Sequence, residues 1–352
     1  MARPRIVVVR GPHSARRHWS PQAEAVLAGF ADRVDVDLDP AAPEGERVAR
    51  ADAALADADG LLICGWGSQG LGYLSAERLA RMPRLRYVGS TTHYRQAEFV
   101  DVGAALARGI AFSETAPVMS PWVAEYELML GLAALRRMPQ EHEVVGRGGW
   151  NADFDHDPPG WPDRLQGRRV GLASFGEIHR HLARMLAPFA CGWQAYDPFV
   201  AAERIEAAGG RKAEDLVAMA RRSEVLFVAT PPNPQTIGLI GRAVIEALPV
   251  GAVFVLVSRM AVVDQAPLIE RIERGELRAA VDVYEPEPPE PDSPLRRLPN
   301  VIHTPHRAGL TRGAHNGVFT AQCEEARRYF AGEPLAYPLR PELVALFQRR
   351  GG

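Results

Sequence analysis

The chain has 352 residues, more than one hydrophobic core usually supports, so two domains of ordinary size are expected. Its 41 Lys and Arg against 43 Asp and Glu give a formal charge of -2, leaving no positive excess to neutralise a nucleic-acid backbone or an anionic membrane. Three scattered cysteines, Cys64, Cys191 and Cys323, form no CxxC pair, which argues for a reduced cytoplasmic protein without structural zinc. Apolar runs at residues 6–9 and 251–257 fall far short of the roughly 20 residues that span a bilayer.

From the start of the chain, short β-branched runs at residues 5–9, 34–38, 60–64, 85–89 and 110–113 read as strands, with helical patterns near 22–31, 75–80 and 101–107 between them. Alternation with short connections predicts a parallel, doubly wound sheet. Ser120-Pro121-Trp122 then opens a long helical pattern to about residue 137, with Ser able to cap and Pro in the first turn, as a helix crossing between domains would need. Residues 146–166, rich in Gly, Pro, Asp and Trp, show no periodicity and read as a loop. A second series follows, with strands at 169–173, 192–196, 225–229, 252–257, 279–283 and 301–303 and helices at 178–189, 212–220, 240–247 and 265–274. That is the content of a dinucleotide-binding domain. A last helix near 321–330 lies beyond that count and is expected to return to the first domain. The fold class is therefore α/β with two doubly wound parallel-sheet domains. One is a flavodoxin-like substrate domain (1–117 and 311–352), the other a Rossmann-type nucleotide domain (118–310).

The turn Ala173-Ser174-Phe175-Gly176-Glu177-Ile178-His179 has the placement of a dinucleotide fingerprint, a buried strand breaking into a helix, but not its full glycine set. Gly176 keeps the central position, where the backbone must approach a pyrophosphate, with Glu177 and Ile178 beginning the helix whose N-terminus would face it. Ser174 and His179 stand at the first and third glycine positions, compromising the tight turn and close helix packing. His179 and Arg180 either supply charge there or point to solvent. Asp197, 21 residues beyond Gly176 at the end of the next strand, is placed to accept both ribose hydroxyls of an adenosine and to repel a 2′-phosphate, which favours NAD over NADP.

Near the C-terminus come Arg259, Glu287 and His306, in that order. A guanidinium, a carboxylate and a titratable imidazole are the groups needed to hold a 2-oxo acid by its carboxylate and protonate its carbonyl while a hydride arrives. Arg259 and His306 each follow a predicted strand, at the carboxyl edge where open α/β sheets bind ligands.

Residues 168–311 resemble the D-isomer-specific 2-hydroxyacid dehydrogenase family. The likeness runs through Tyr196-Asp197-Pro198, Thr230-Pro231-Pro232-Asn233-Pro234-Gln235-Thr236, Ser258-Arg259 with Val263-Asp264, Asp282-Val283-Tyr284-Glu285-Pro286-Glu287-Pro288 and Thr304-Pro305-His306-Arg307-Ala308-Gly309. The first half matches more loosely, through Arg108-Gly109-Ile110 and Val123-Ala124-Glu125. The resemblance implies that Arg259 binds the substrate carboxylate, that His306 donates the proton in reduction, and that Glu287 pairs with His306 and raises its pKa. It further implies that Thr230 and Pro231 flank the adenosine, that Ser258 lies at the cofactor, that Asp282 approaches the nicotinamide end, and that the protein is a homodimer.

In relatives the loop after the fourth strand of the first domain is glycine-rich and offers backbone N–H groups to the carboxylate. Here it reads Gly89-Ser90-Thr91-Thr92-His93-Tyr94-Arg95, so Ser90, Thr91 and Thr92 are expected to contact substrate. Their hydroxyls, with Arg95, suggest a polar or doubly anionic 2-oxo acid, and Trp66 could wall the same pocket. Competing readings are a non-enzymatic dinucleotide sensor or corepressor, and a dehydrogenase of a small anion such as formate or phosphite. Formate-oxidising relatives carry Gln at the position of Glu287, which argues against that branch.

Overall fold

Strand β3 (Gly60–Cys64) is buried at every position, as a strand covered on both faces requires, and it sits at the centre of the first sheet. The computed structural model describes residues 2–150 and 163–347. Around β3 lie β1 (Arg5–Arg10), β2 (Asp32–Asp37), β4 (Tyr87–Ser90) and β5 (Ala111–Glu114), all parallel, in the order β2-β1-β3-β4-β5. One face carries the helix Pro21–Phe30, capped by Ser20, and the helix Arg312–Ala331, capped by Thr311. They bury Leu27, Phe319, Cys323 and Ala326 against Ile6, Val8, Leu62 and Tyr87. Helices Glu44–Leu55, Ala76–Ala80 and Val102–Ala107 pack Leu55, Leu79 and Ala105 with Val7, Val9, Leu61 and Ile63 on the other face.

Helices Pro12–His18 and Glu44–Leu55 have no counterpart in the sequence reading. The reason is visible in what they bury: only Ser14 and His18 in the first, only Ala51 and Leu55 in the second, too little apolar surface to set a period.

The chain divides into a unit of Met1–Met119 with Leu310–Gly352 and a unit of Ser120–Gly309. The second unit holds β6 (Arg169–Ala173), β7 (Gly192–Tyr196), β8 (Arg211–Lys212), β9 (Val225–Val228), β10 (Ala252–Leu256), β11 (Leu277–Val281) and β12 (Val301–His303). All are parallel, in the order β12-β11-β10-β9-β6-β7-β8, so the strand order reverses between β6 and β9. Such a reversal leaves a crevice at the carboxyl ends of those two strands. β8 is the strand the sequence reading missed. Its two residues pair with Gln194 and Ala195; the sequence pattern places Lys212 at the start of a helix, and the helix itself is Leu216–Arg222, capped by Asp215.

The helix Ser120–Leu135 continues directly from a 3-10 turn, Ala116–Met119, so Ser120 lies inside the helix and the expected cap is absent. Val123, Ala124, Glu127, Leu130, Gly131 and Ala134 form its buried stripe, which packs on β10 and on the helix Glu177–Leu186. Gly131 permits close approach to the sheet, because a Cβ there would lie 2.7 Å from the Phe227 ring of β9. Past the left-handed Arg137 a further helix, Met138–Gly146, occupies the stretch before the predicted loop. Residues 151–162 of that loop lie outside the described residues.

Candidate active site

β6 ends at Ala173, and the chain turns through Ser174 at φ +89°, a left-handed conformation that a residue with a side chain adopts only under strain. The tight turn is thus kept without its glycine. Gly176 caps the ten-residue helix Glu177–Leu186, and a Cβ placed on it would meet nothing within 4 Å. The turn therefore opens on free space at a helix N-terminus, where backbone N–H groups and the helix dipole favour an anion.

His179 and Arg180 do not point freely to solvent. His179 is fully buried, with Nδ1 2.8 Å from the Ser174 carbonyl oxygen and Nε2 3.2 Å from Glu127 Oε1, while Arg180 pairs with Glu177. Ile178 is half-buried. Asp197, at the end of β7, accepts from the backbone N–H groups of Phe175 (2.9 Å) and Phe199 (3.0 Å), which ties it to the turn and leaves further lone pairs on the carboxylate. Thr230 Oγ1 donates to the Ala173 carbonyl at 2.9 Å, joining the ends of β9 and β6 beside the exposed Pro231. An open glycine turn at a helix N-terminus, with a carboxylate one strand away, fits a dinucleotide.

Arg259, Glu287 and His306 come together at the carboxyl ends of β10, β11 and β12. Arg259 Nη1 donates to the Ser258 carbonyl at 2.6 Å and lies 3.4 Å from His306 Nε2. His306 Nδ1 is 2.8 Å from Glu287 Oε2, and the Tyr284 N–H donates to Glu287 Oε1 at 2.9 Å. The histidine and glutamate side chains are 41% and 35% exposed, open enough for a substrate to reach the pair. Burial pushes the Glu287 carboxyl up, but the hydrogen bonds from His306 and Tyr284 and the charges of His306 and Arg259 outweigh it, leaving its pKa below the ordinary value. Ser258 is buried, and its hydroxyl has no hydrogen-bond partner among the described residues.

Asp282, expected near the nicotinamide end, is held by its neighbours. Its side chain is fully buried and accepts from Thr304 Oγ1 (2.5 Å) and from the N–H groups of Arg307 (2.7 Å) and Ala308 (2.9 Å). Its own carbonyl accepts from the His306 N–H at 2.7 Å. The residue is a clamp on both flanks of His306, which sits at φ +53°. A cavity of about 460 Å³ adjoins the pair, lined by Glu287 and His306 with Tyr284, Arg296, His303 and Pro305. Arg259 is not part of its wall.

The hydroxyls of Ser90, Thr91 and Thr92 are turned inward. Ser90 Oγ accepts from Gln96, Thr91 Oγ1 bonds Thr115 and Gln322, and Thr92 Oγ1 donates to Glu114 at 2.8 Å. All three residues are buried, so their side chains shape the loop from within instead of lining a substrate surface. The hub is Glu114, which also accepts from the N–H groups of Thr92, Tyr94 and Ala116 and from Gln96. Trp66 stacks on His93 with ring centroids 5.0 Å apart.

Sequence reasoning missed Glu114 and Glu127. Each had a readable signal: a carboxylate closing the short strand that follows Ala111 and Phe112, and a carboxylate on the apolar stripe of a helix.

Residues 128–308 match the family model described as D-isomer specific 2-hydroxyacid dehydrogenase, NAD binding domain. The chain belongs to that family. NAD(H) is accordingly the cofactor of the second unit. Over 237 residues this dehydrogenase-family chain is 35% identical to the D-3-phosphoglycerate dehydrogenase of Archaeoglobus fulgidus, covering 67% of this chain and 44% of that protein. It is 29% identical over 267 residues to the chloroplastic/mitochondrial formate dehydrogenase of Arabidopsis thaliana, covering 74% and 67% respectively. The crystal structure of a phosphoglycerate oxidoreductase from Rhizobium etli aligns with a TM-score of 0.79 at 26% identity, over 97% of this chain and 99% of that one. The chain spans about half the length of the curated D-3-phosphoglycerate dehydrogenases it matches.

Proposed function

We propose that the protein is an NAD-dependent oxidoreductase interconverting a 2-oxo acid and its D-2-hydroxy acid. The observation that carries this reading is the unbroken contact chain from Arg259 through His306 to Glu287. Bound nicotinamide supplies or accepts the hydride. Arg259 offers a planar, permanently charged fork for the substrate carboxylate. Because Glu287 occupies Nδ1 of His306, the proton delivered to the carbonyl oxygen leaves from Nε2, the nitrogen on the Arg259 side.

With the hydroxyls of Ser90, Thr91 and Thr92 turned inward onto Gln96, Thr115, Gln322 and Glu114, a doubly anionic substrate loses the hydroxyl contacts that suggested it. The proposal is therefore a monocarboxylic 2-oxo acid gripped through Arg259. The family resemblance adds a homodimer to this reading, which sedimentation analysis would test. A screen of 2-oxo acids, with and without a second acidic group, for NADH consumption tests the activity. Turnover of none of them, in protein that binds NADH, would overturn it.

A further inference from the structure

Both departures from the dinucleotide fingerprint are joined by one hydrogen bond, since the strained Ser174 turn presents its carbonyl to His179. The other ring nitrogen faces Glu127, and neither His179 nor Glu127 exposes any side-chain surface. A carbonyl oxygen and a carboxylate are both acceptors, and only the doubly protonated imidazolium can donate to both at once. Glu127 Oε2 has no partner among the described residues, so His179 is the buried carboxylate's one compensation.

Resting on the NAD reading of this turn, we propose that His179 is a buried imidazolium and a positioning residue for cofactor binding. It pins the Ser174 carbonyl and turns the positive end of the His179–Glu127 pair toward the dinucleotide pyrophosphate. The pair is neutral overall, so its effect is that of an oriented dipole added to the helix N-terminus. Glycine at position 179 would allow close packing of the two helices; this chain fills that space with a charge pair.

The surroundings support the charged ring. On the facing helix, Glu127 is the charged residue of the buried stripe, and Glu125 is exposed. On its own helix, Glu177 and Arg180 pair with each other. Burial is the largest influence and disfavours the imidazolium. Glu127, the Ser174 carbonyl and Asp197 together outweigh it, so the pKa lies above the ordinary 6.5.

Two measurements test this. Nitrogen-15 NMR of the ring in cofactor-free protein at neutral pH is expected to find both nitrogens of His179 protonated. A neutral ring, with the shared proton on Glu127, would overturn the proposal. In the second, Glu127→Gln keeps the shape but removes the anion, and it is expected to weaken NADH and ADP-ribose binding about 3- to 30-fold, the range of a helix-dipole contribution. Adenosine binding should stay unchanged, and NADH affinity of the unaltered protein should fall as pH rises through the His179 pKa. Should Glu127→Gln fail to fold, His179→Gly with Glu127→Leu restores glycine and an apolar stripe, and is expected to bind NADH without that pH step. Equal NADH affinity in the Gln variant, or the same pH step in the Gly/Leu variant, would overturn the inference alone. No NADH binding by the unaltered protein would instead remove the cofactor reading, and this inference with it.

Discussion

His306 is fixed from three directions: Glu287 holds its ring, Asp282 takes the N–H groups on one flank and the Thr304 hydroxyl on the other, and Arg259 adjoins the second ring nitrogen. Replacing His306 by Gln should lower turnover by about 10² to 10⁴ while leaving the NADH dissociation constant nearly unchanged. Parallel steady-state kinetics and NADH titration would check this. Asp282→Ala leaves several buried donors unsatisfied, at about 1–3 kcal/mol each, so thermal stability and turnover should fall together. Glu287 has a depressed folded pKa, so its stabilising interaction is complete above its ordinary value of 4.5 and is lost as pH falls through the lower folded value. Denaturant midpoints followed from neutral pH to below the folded Glu287 pKa should therefore decline less in Glu287→Gln than in the unaltered protein. Arg259 and His306 were legible because each follows a predicted strand, where an open sheet binds ligands, and Glu287 through the family resemblance. Asp282 was legible as important but not as buried, because its partners lie 22 to 26 positions further along the chain.

Elements differ in legibility for a related reason. Strands such as β3 and β10 are continuous apolar runs covered on both faces, so sequence alone marks them. The Glu127–His179 contact spans 52 positions and joins two helices, which no local pattern encodes. Removing one partner, as in His179→Ala, strands a buried carboxylate and should cost about 3–5 kcal/mol by denaturant titration. With the folded pKa of His179 raised, the stability contributed by its charge is complete below the ordinary value and fades as pH climbs through the folded one. On the sheet side of the same helix Gly131→Val would push a methyl group into the Phe227 ring of β9. A loss of about 1–3 kcal/mol is expected there from overpacking.

At the scale of the whole molecule, each unit carries its own core: Val7, Leu61 and Phe112 belong to one, Phe254, Leu226 and Val281 to the other. Denaturant unfolding should resolve two transitions, of which saturating NADH moves the one belonging to Ser120–Gly309. At a hundredfold excess over the dissociation constant the shift should be about 2.7 kcal/mol. Circular dichroism with and without NADH would measure it. The alternation of strands and helices made both sheets foreseeable, whereas the burial of the Ser90, Thr91 and Thr92 hydroxyls was not, since it depends on Glu114 and Gln322 arriving from elsewhere in the chain.

Since Arg312–Ala331 supplies Phe319, Cys323 and Ala326 to the face of the sheet that holds Ile6 and Val8, those strands leave the ribosome well before the helix that covers them. The Ser120–Gly309 unit, complete within one stretch of chain, can close first, while an apolar sheet face stays uncovered and within reach of chaperones.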